Sequence, residues 1–287
     1  MSFPNARFLV AAAAAAAALV VAGCGGGGTE ATRVSMSVSE QGKTASFKAP
    51  KTSKGGLVEI DFRNQGTAPH GVQLVRYTGD HTSDDVIKVL AAGSDKTPDW
   101  IKGEGGTPAI PGGQSDTATL NLAAGKYVLV DSNTLTGPGS GPPATAEMKF
   151  TEGDTGDLPD TPATVTAAST GRDKYQWDVS GLKAGKNAIT FNSEGHNTLH
   201  FILATPIKGN VSESRIEKDF AGSRNGPPPP YLDFPKSTGS AVLDSGESQT
   251  TSLTLSKGRY VLFCPLTDRD GGRSHDQEGL IKVVDIK

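Results

Sequence analysis

Two residue types with metal-binding chemistry stand close together near the end of the chain. In the stretch FCPLTDRDGGRSHDQEGL, residues 263–280, Cys264 is followed after ten intervening residues by His275. Thiolate and imidazole are both transition-metal ligands, and thiolate favours soft ions such as Cu(I). The chain has only two cysteines and five histidines. A thiolate kept for a metal is therefore one interpretation of Cys264, and a buried, inert cysteine is the other.

The other cysteine, Cys24, ends a segment that is typical of protein export. Arg7 is followed by an apolar run, residues 8–22, which is shorter than the ~20 residues of a membrane-spanning helix. The sequence Val21-Ala22-Gly23-Cys24 resembles the lipobox of bacterial lipoproteins, which implies cleavage before Cys24 and lipid on its sulfur. An ordinary signal peptide is the alternative. Lipidation would leave no second cysteine with which Cys264 could form a disulfide in an oxidising compartment.

Composition narrows the class of protein. The 287 residues include 28 basic and 31 acidic side chains, mixed along the chain, for a net charge of −3. We expect no nucleic-acid partner, because no basic stripe is present. The 36 glycines and 18 prolines, with few long helical patterns, indicate an all-β, loop-rich protein. The motifs typical of nucleotide-binding enzymes and hydrolases are absent from the sequence, so we expect no enzymatic activity.

An internal repeat organises the chain into two halves. TLNLAAGKYVLVD, residues 119–131, matches SLTLSKGRYVLFC, residues 252–264, at six of thirteen positions. Upstream, residues 58–75 match residues 187–204, so that His70 corresponds to His200 and Asp131 to Cys264. The offset stays near 130 residues, which indicates one duplicated β-domain.

Each half predicts about seven short strands with glycine-marked turns, which is typical of a β-sandwich. Each half also contains one short helical insertion, at residues 82–93 and 212–222, which begins with a Thr or Ser that could cap a helix. The predicted organisation is a signal peptide at 1–23, a glycine-rich tether at 24–33, a first domain at 34–150, a linker at 151–162 and a second domain at 163–287.

The second half resembles the cupredoxins, the plastocyanin- and azurin-like copper proteins. FNSEGHNTLHF, ending just after His200, and YVLFC followed by His275 reproduce the order of the family's first histidine, cysteine and second histidine. The resemblance implies two tandem Greek-key β-sandwiches and one copper ion held by His200, Cys264 and His275. Leu280 stands at the position of the family's axial methionine and cannot ligate a metal, and a three-coordinate site favours Cu(I).

The first half has the scaffold without the ligand set. Asp131 replaces the cysteine, and the loop that follows Asp131 contains no histidine. His70 is therefore interpreted as a relic or a turn residue. His81 is predicted to be exposed in a loop. His196 is interpreted as a solvated turn histidine, with a role as an alternative ligand left open.

Together these patterns predict a lipid-anchored copper protein on the extracytoplasmic face of the cell envelope. It would transfer electrons or carry copper, attached to the membrane through Cys24, with a redox or copper-donor protein as partner. The alternative is a metal-free lipoprotein of the same fold that serves in binding or assembly. Multicopper oxidase activity is disfavoured because the sequence contains no His-x-His pair.

Overall fold

The described part of the chain begins at residue 29, within the predicted tether. The computed structural model describes residues 29–42, 44–132, 143–222 and 228–287. The predicted signal peptide, residues 1–23, and the lipidation site Cys24 lie outside the described residues. Among the residues described, no helix is long and apolar enough to cross a membrane.

The first half is a sandwich of two sheets with one short helix. One sheet has the order β2-β1-β4-β7 and the other β6-β5-β8-β9-β3. Side chains alternate between buried and exposed along β1 and β4, so each strand turns one face to the core. The elements are β1 Thr32–Gln41, β2 Thr44–Lys48, β3 Thr52–Lys54, β4 Gly56–Asn64, β5 His70–Tyr77, α1 Ser83–Ala91, β6 Ile101–Ile110, β7 Ser115–Leu122, β8 Gly125–Asp131 and β9 Thr145–Thr151.

The second half repeats this plan. Its sheets have the orders β11-β10-β12-β17 and β15-β14-β18-β19. The elements are β10 Ala163–Gly171, β11 Lys174–Ser180, β12 Gly185–Ser193, β13 Leu199–His200, β14 Leu203–Pro206, α2 Glu213–Ala221, β15 Thr238–Gly239, β16 Leu243–Asp244, β17 Ser248–Leu255, β18 Gly258–Phe263 and β19 Ile281–Ile286. Two 3-10 turns occupy Phe234–Lys236 and His275–Glu278.

The duplication is visible in the strand pairing. β1 pairs in parallel with β4, and β10 pairs in parallel with β12, whereas most other pairs are antiparallel. The chain crosses repeatedly between the two sheets of each sandwich, as in a Greek key. Each sandwich encloses its own apolar core, with Phe62, Leu74 and Phe150 buried in the first and Trp177 and Phe191 in the second. The predicted fold class, all-β with two tandem sandwiches and short helical insertions, is confirmed.

The two helical insertions begin at the predicted caps. The Thr82 hydroxyl accepts from the Asp85 backbone N–H, and the Asp85 carboxylate accepts from the Thr82 N–H, which is a capping box. The Ser212 hydroxyl accepts from the Arg215 N–H in the same way. These hydrogen bonds satisfy donors that the first helical turn leaves without partners.

The two halves share two sheets, in one of which β16 of the second half pairs with β6 of the first. β7 of the first half pairs with β17 of the second, with Leu120 opposite Gln249, so that eight strands form one continuous sheet. The Gln73 side chain adds two hydrogen bonds to the Val242 backbone, at 3.0 and 2.6 Å. The domain boundaries drawn from the sequence stay a prediction, but β1 begins at Thr32, inside the predicted tether.

Candidate metal centre

Three short backbone segments bring the predicted ligands together at one end of the second sandwich. His200 ends β13, which pairs with β16. Cys264 directly follows β18, and its backbone N–H donates to the Leu280 carbonyl at 3.3 Å. His275 opens the 3-10 turn that leads into β19, and its N–H donates to the Leu266 carbonyl at 2.8 Å. Backbone hydrogen bonds therefore hold the segment that carries Cys264 beside the segment that carries His275.

The three side chains converge. One potential donor atom from each of His200, Cys264 and His275 lies within 4.8 Å of the other two. The two Nδ1 atoms are 3.1 Å apart, and Cys264 Sγ is 3.5 Å from His275 Nδ1. A trigonal ion with ligand bonds of about 2.1 Å separates its donors by about 3.6 Å. The triangle of donor atoms therefore fits a metal ion with only small adjustments.

The outer nitrogen of each imidazole is already engaged. His200 Nε2 lies 3.0 Å from the Glu194 carbonyl, and His275 Nε2 lies 3.0 Å from Thr198 Oγ1 and 3.3 Å from Asp268 Oδ1. Carbonyl and carboxylate oxygens only accept, so both imidazoles donate from Nε2. Their Nδ1 lone pairs then face each other across 3.1 Å, an arrangement that a shared cation stabilises.

The site is closed to solvent. His200, Cys264 and His275 are each 0 % exposed. The Tyr175 ring packs edge-on against both imidazoles, with centroid distances of 4.9 and 5.0 Å. Its hydroxyl donates to Asp268 Oδ1 at 3.1 Å. Tyr175 and Asp268 thus separate the imidazoles from the surface.

Burial also sets the charge of His200. Loss of solvation, together with electrostatic repulsion from the neighbouring His275, lowers the pKa of His200 to about 3, although the hydrogen bond to the Glu194 carbonyl acts in the opposite direction. At neutral pH the imidazole is therefore uncharged, which is the form that binds metals.

The predicted axial position is apolar. Leu280 is fully buried in the same core cluster as Cys264 and Trp177. The Trp177 indole N–H donates to the Leu280 carbonyl at 3.1 Å, which fixes this segment. In the described part of the chain, no fourth His, Cys, Asp or Glu joins the three donors.

The corresponding place in the first half holds an ion-pair triad. His70 Nδ1 lies 2.6 Å from Asp131 Oδ2, and His70 Nε2 lies 2.7 Å from Glu40 Oε1. His70 is 6 % exposed and opens β5. His70 is therefore not a turn residue: it lies in a strand and two carboxylates bind it, one of which, Asp131, stands where the second half has Cys264.

Two members of the triad, Glu40 and His70, have shifted pKa values. Hydrogen bonds from Thr67, followed by those from His70 and Ala68, lower the pKa of Glu40 to about 2. Burial acts to lower the pKa of His70, but hydrogen bonds and charge from Glu40 and Asp131 outweigh it and raise that pKa. A protonated His70 is therefore the stable form between the two carboxylates.

The remaining two histidines lie away from the donors. His196 is exposed, as predicted for a turn residue. His81 is half-buried and stacks on Trp100 with ring centroids 3.8 Å apart. The prediction of an exposed His81 is thus wrong, because the indole covers one face of the ring.

Sequence reasoning missed the residues that surround the donors. Glu194 and Thr198 lie in the connection between β12 and β13, just before His200. Tyr175 comes from β11, some 25 residues before His200 in the chain. No local motif marks Tyr175, since its contacts arise only when the sheet is folded. Asp268 lies seven residues before His275 in the chain, but its contact with Nε2 depends on how the loop folds.

Solved copper proteins resemble this chain in structure. Reduced auracyanin from Roseiflexus castenholzii is 17% identical, covers 43% of this chain and 99% of its own length, and gives a TM-score of 0.27. A blue copper oxidase from Nitrosomonas europaea is 13% identical and covers 90% of this chain and 86% of its own, with a TM-score of 0.26. A copper nitrite reductase from the same organism is 11% identical, with coverages of 90% and 94% and a TM-score of 0.26.

No protein-family model matches the chain, and no curated protein matches it. The structural likenesses agree with the cupredoxin resemblance of the second half and with the sandwich topology described above. With TM-scores this low they carry no argument of their own.

One sequence-based prediction is corrected by these matches. The chain was expected not to be an enzyme, yet the structures that overlap 90% of it include an oxidase and a nitrite reductase. The absence of familiar enzyme motifs is therefore no ground for excluding enzymatic activity, and that prediction is wrong as an exclusion.

Proposed function

We propose that the protein binds one copper ion through His200, Cys264 and His275 and uses it for electron transfer or copper carriage. The observation that carries this proposal is the convergence of two imidazole nitrogens and one sulfur in a closed, apolar pocket. The cell-envelope location and the lipid anchor on Cys24 belong to the same proposal. They rest on the sequence of residues 1–24 alone.

The donor set supports copper over zinc. Structural zinc sites are almost always four-coordinate, and catalytic ones keep a fourth position for water. Here the residue at the expected axial position is Leu280, which is buried in the same apolar cluster as Cys264 and has no donor atom. Two imidazoles and a thiolate with a weak or absent axial ligand are typical of blue-copper centres. Bound copper would supply a one-electron couple between Cu(I) and Cu(II).

The protein contributes a rigid set of ligands. His200 lies in a strand pair, and Cys264 and His275 are joined by backbone hydrogen bonds to Leu266 and Leu280. The Nε2 contacts with Glu194, Thr198 and Asp268 fix both ring orientations, as outer partners of metal-bound histidines do. Ligands that do not move let the oxidation state change with little structural rearrangement.

A partner would reach the site across an open cleft. The cleft has a volume of about 1080 Å³ and is bordered by Tyr175 and Asp268, which also contact the imidazoles. Carboxylates outnumber basic groups along its walls: Asp173, Glu194, Asp268, Asp270 and Glu278 against Arg172 and Arg273. This excess favours a redox or copper-donor protein that presents positive charge.

Asp268→Asn is expected to weaken copper binding by roughly 10–100-fold, because it removes the charged partner of His275 Nε2. Competition with a chelator of known affinity measures the change. Asp270→Asn is the matched control, since Asp270 lies on the same loop but is exposed and bonded to Asn197 at 3.1 Å. Equal affinities for the two variants would argue against a role of Asp268 in orienting His275.

Leu280→Met is expected to lower the reduction potential of the bound copper, because a thioether at the axial position stabilises Cu(II) relative to the unliganded arrangement. Redox titration of the visible absorption measures the midpoint potential. Leu280→Ile keeps an apolar side chain and is the control. An unchanged potential in Leu280→Met would show that residue 280 does not face the metal.

Copper titration of the purified protein tests the proposal. The full chain with Cys24→Ala contains Cys264 as its only thiol. Addition of Cu(II) is expected to produce an intense thiolate-to-copper absorption in the red part of the visible spectrum that saturates at one ion per chain. No such band, with Cys264 still open to alkylation in the presence of copper, would support the metal-free alternative instead.

A further inference from the structure

The loop between Cys264 and His275 docks on the first half of the chain. The Thr267 hydroxyl donates to the Asp95 carbonyl at 2.6 Å, and the Thr97 backbone N–H donates to the Arg269 carbonyl at 2.9 Å. Gly271 lies so close to Asp95 that a β-carbon there would be 2.9 Å from the carboxylate. The tip of this ten-residue loop is therefore built against the segment that follows α1 in the other sandwich.

Arg269 is the central contact of this docking. It is 3 % exposed, although its side chain is long and charged. Its guanidinium forms an ion pair with Asp244 and donates from Nη1 to the Pro98 carbonyl at 3.0 Å. The other oxygen of Asp244 accepts from the Gly103 N–H at 2.8 Å. Arg269 thus ties the loop to β16 and, through Asp244 and Pro98, to the first half.

Burial of such a group is costly unless every donor is satisfied. Nη1 of Arg269 has its carbonyl acceptor only when the two halves are in contact, because Pro98 belongs to the first half. The ion pair is therefore a poor general source of stability, but it specifies one position of the loop. A ten-residue connection without this docking would have many conformations of similar energy.

The tip is mechanically coupled to the ligands. Thr267 and Ser274 form a β-bridge across the loop, and the His275 N–H donates to the Leu266 carbonyl at 2.8 Å. The Asp276 N–H donates to the Cys264 carbonyl at 3.0 Å. The Arg269 N–H also donates to the Asn197 carbonyl at 3.1 Å, in the turn that precedes His200. A displaced tip would therefore move all three ligand-bearing segments.

We propose that the first half serves as a clamp that positions the metal-binding loop of the second, with Arg269 as the positioning residue. This inference rests on the proposed copper site for its purpose, but the clamp itself is a property of the metal-free chain. It gives the first half, which lacks the ligand set, a defined task. It also gives a reason for the length of the loop, whose tip reaches the other sandwich.

The reactivity of Cys264 in the metal-free protein tests the clamp. Cys264 is fully buried, so a thiol reagent reaches it only when the loop opens. In the full chain with Cys24→Ala, Arg269→Met is expected to raise the rate of Cys264 alkylation by iodoacetamide at least about tenfold, since it removes buried charge-assisted hydrogen bonds. The copper-loaded variant should also show a shifted and broadened charge-transfer band.

Lys186→Met is the matched control. Lys186 Nζ contacts Asp116 Oδ1 at 2.9 Å, and this ion pair also joins the two halves, at a place outside the loop. The Lys186→Met variant should leave the rate of Cys264 alkylation close to that of the parent. Thr267→Val removes only the hydrogen bond to Asp95 and leaves no buried charge. It should raise the rate of Cys264 alkylation to a smaller extent, and it serves as the test if Arg269→Met fails to fold.

Parent-like alkylation in both loop variants would overturn the clamp. The clamp would also be overturned if Lys186→Met raised the rate of Cys264 alkylation as much as Arg269→Met does, at the same loss of melting temperature. The increase would then reflect lower overall stability and not the release of the loop. If the parent itself shows no copper band, the proposed function fails, while the alkylation rates still decide whether the first half holds the loop.

Discussion

Cys264→Ser is expected to abolish the visible thiolate-to-copper absorption and to weaken Cu(I) binding by more than ~100-fold. The hydroxyl that replaces the thiol is a poor ligand for soft copper, and even changes in outer partners of a metal site typically cost 10–100-fold in affinity. The pocket itself should persist, because serine is slightly smaller and Cys264 is surrounded by core residues such as Leu262 and Leu280. Chelator competition and absorption spectroscopy measure the two effects.

His196→Gln is the control for this experiment. His196 is exposed, lies four residues before His200 in the chain, and was left open as an alternative ligand. The variant should bind copper like the parent. Loss of the absorption band in His196→Gln, together with its retention in Cys264→Ser, would contradict the assignment of the ligands.

The second large effect is expected in the first half. His70→Ala should lower the free energy of unfolding by about 3 kcal/mol near pH 6, since it removes one partner of a buried ion pair. The variant loses the contacts of 2.6 Å to Asp131 and 2.7 Å to Glu40. Asp131 is 1 % exposed, so solvent cannot replace the lost cation. Chemical denaturation of parent and variant measures the difference.

This stabilisation should depend on pH with a defined sign. The pKa of His70 is raised in the folded protein above its ordinary value of 6.5. The folded state therefore binds more protons than the unfolded state in the range between the two pKa values. The contribution of His70 is complete below about pH 6.5 and is lost as the pH rises through the folded-state value. A neutral imidazole has only one N–H and cannot donate to both carboxylates.

The difference in stability between parent and His70→Ala should accordingly shrink as the pH is raised from 6 to 9. His196→Gln provides a background without a buried histidine change. A difference that grows with pH would mean that His70 is neutral in the folded protein, and the triad would then be a hydrogen-bonded network without an imidazolium.

The sequence was sufficient to predict that His200, Cys264 and His275 converge, and the repeat marks the positions of the first two. His200 corresponds to His70, and Cys264 ends a strand that is nearly a copy of the strand before Asp131. Short strands with glycine-marked turns also predicted the sandwiches, and the Thr82 and Ser212 caps predicted the helices. These features are local, so a pattern of neighbouring residues carries them.

The sequence was not sufficient for contacts between distant segments. Glu40 binds His70 across 30 residues, from the end of β1 in the other sheet of the sandwich, and no motif connects them. The same holds for Arg269, whose partners are Asp244 and the Pro98 carbonyl. The pairing of β7 with β17 depends on how two complete sheets meet at their edges. Such contacts follow from the assembled fold.

The ligand set can be read directly by X-ray absorption spectroscopy at the copper edge, on the Cys24→Ala chain loaded with one equivalent of copper. The account predicts two nitrogen ligands and one short sulfur ligand, from His200, His275 and Cys264, with no further ligand at bonding distance in the Cu(I) state. A copper environment made only of nitrogen and oxygen, without sulfur, would contradict it.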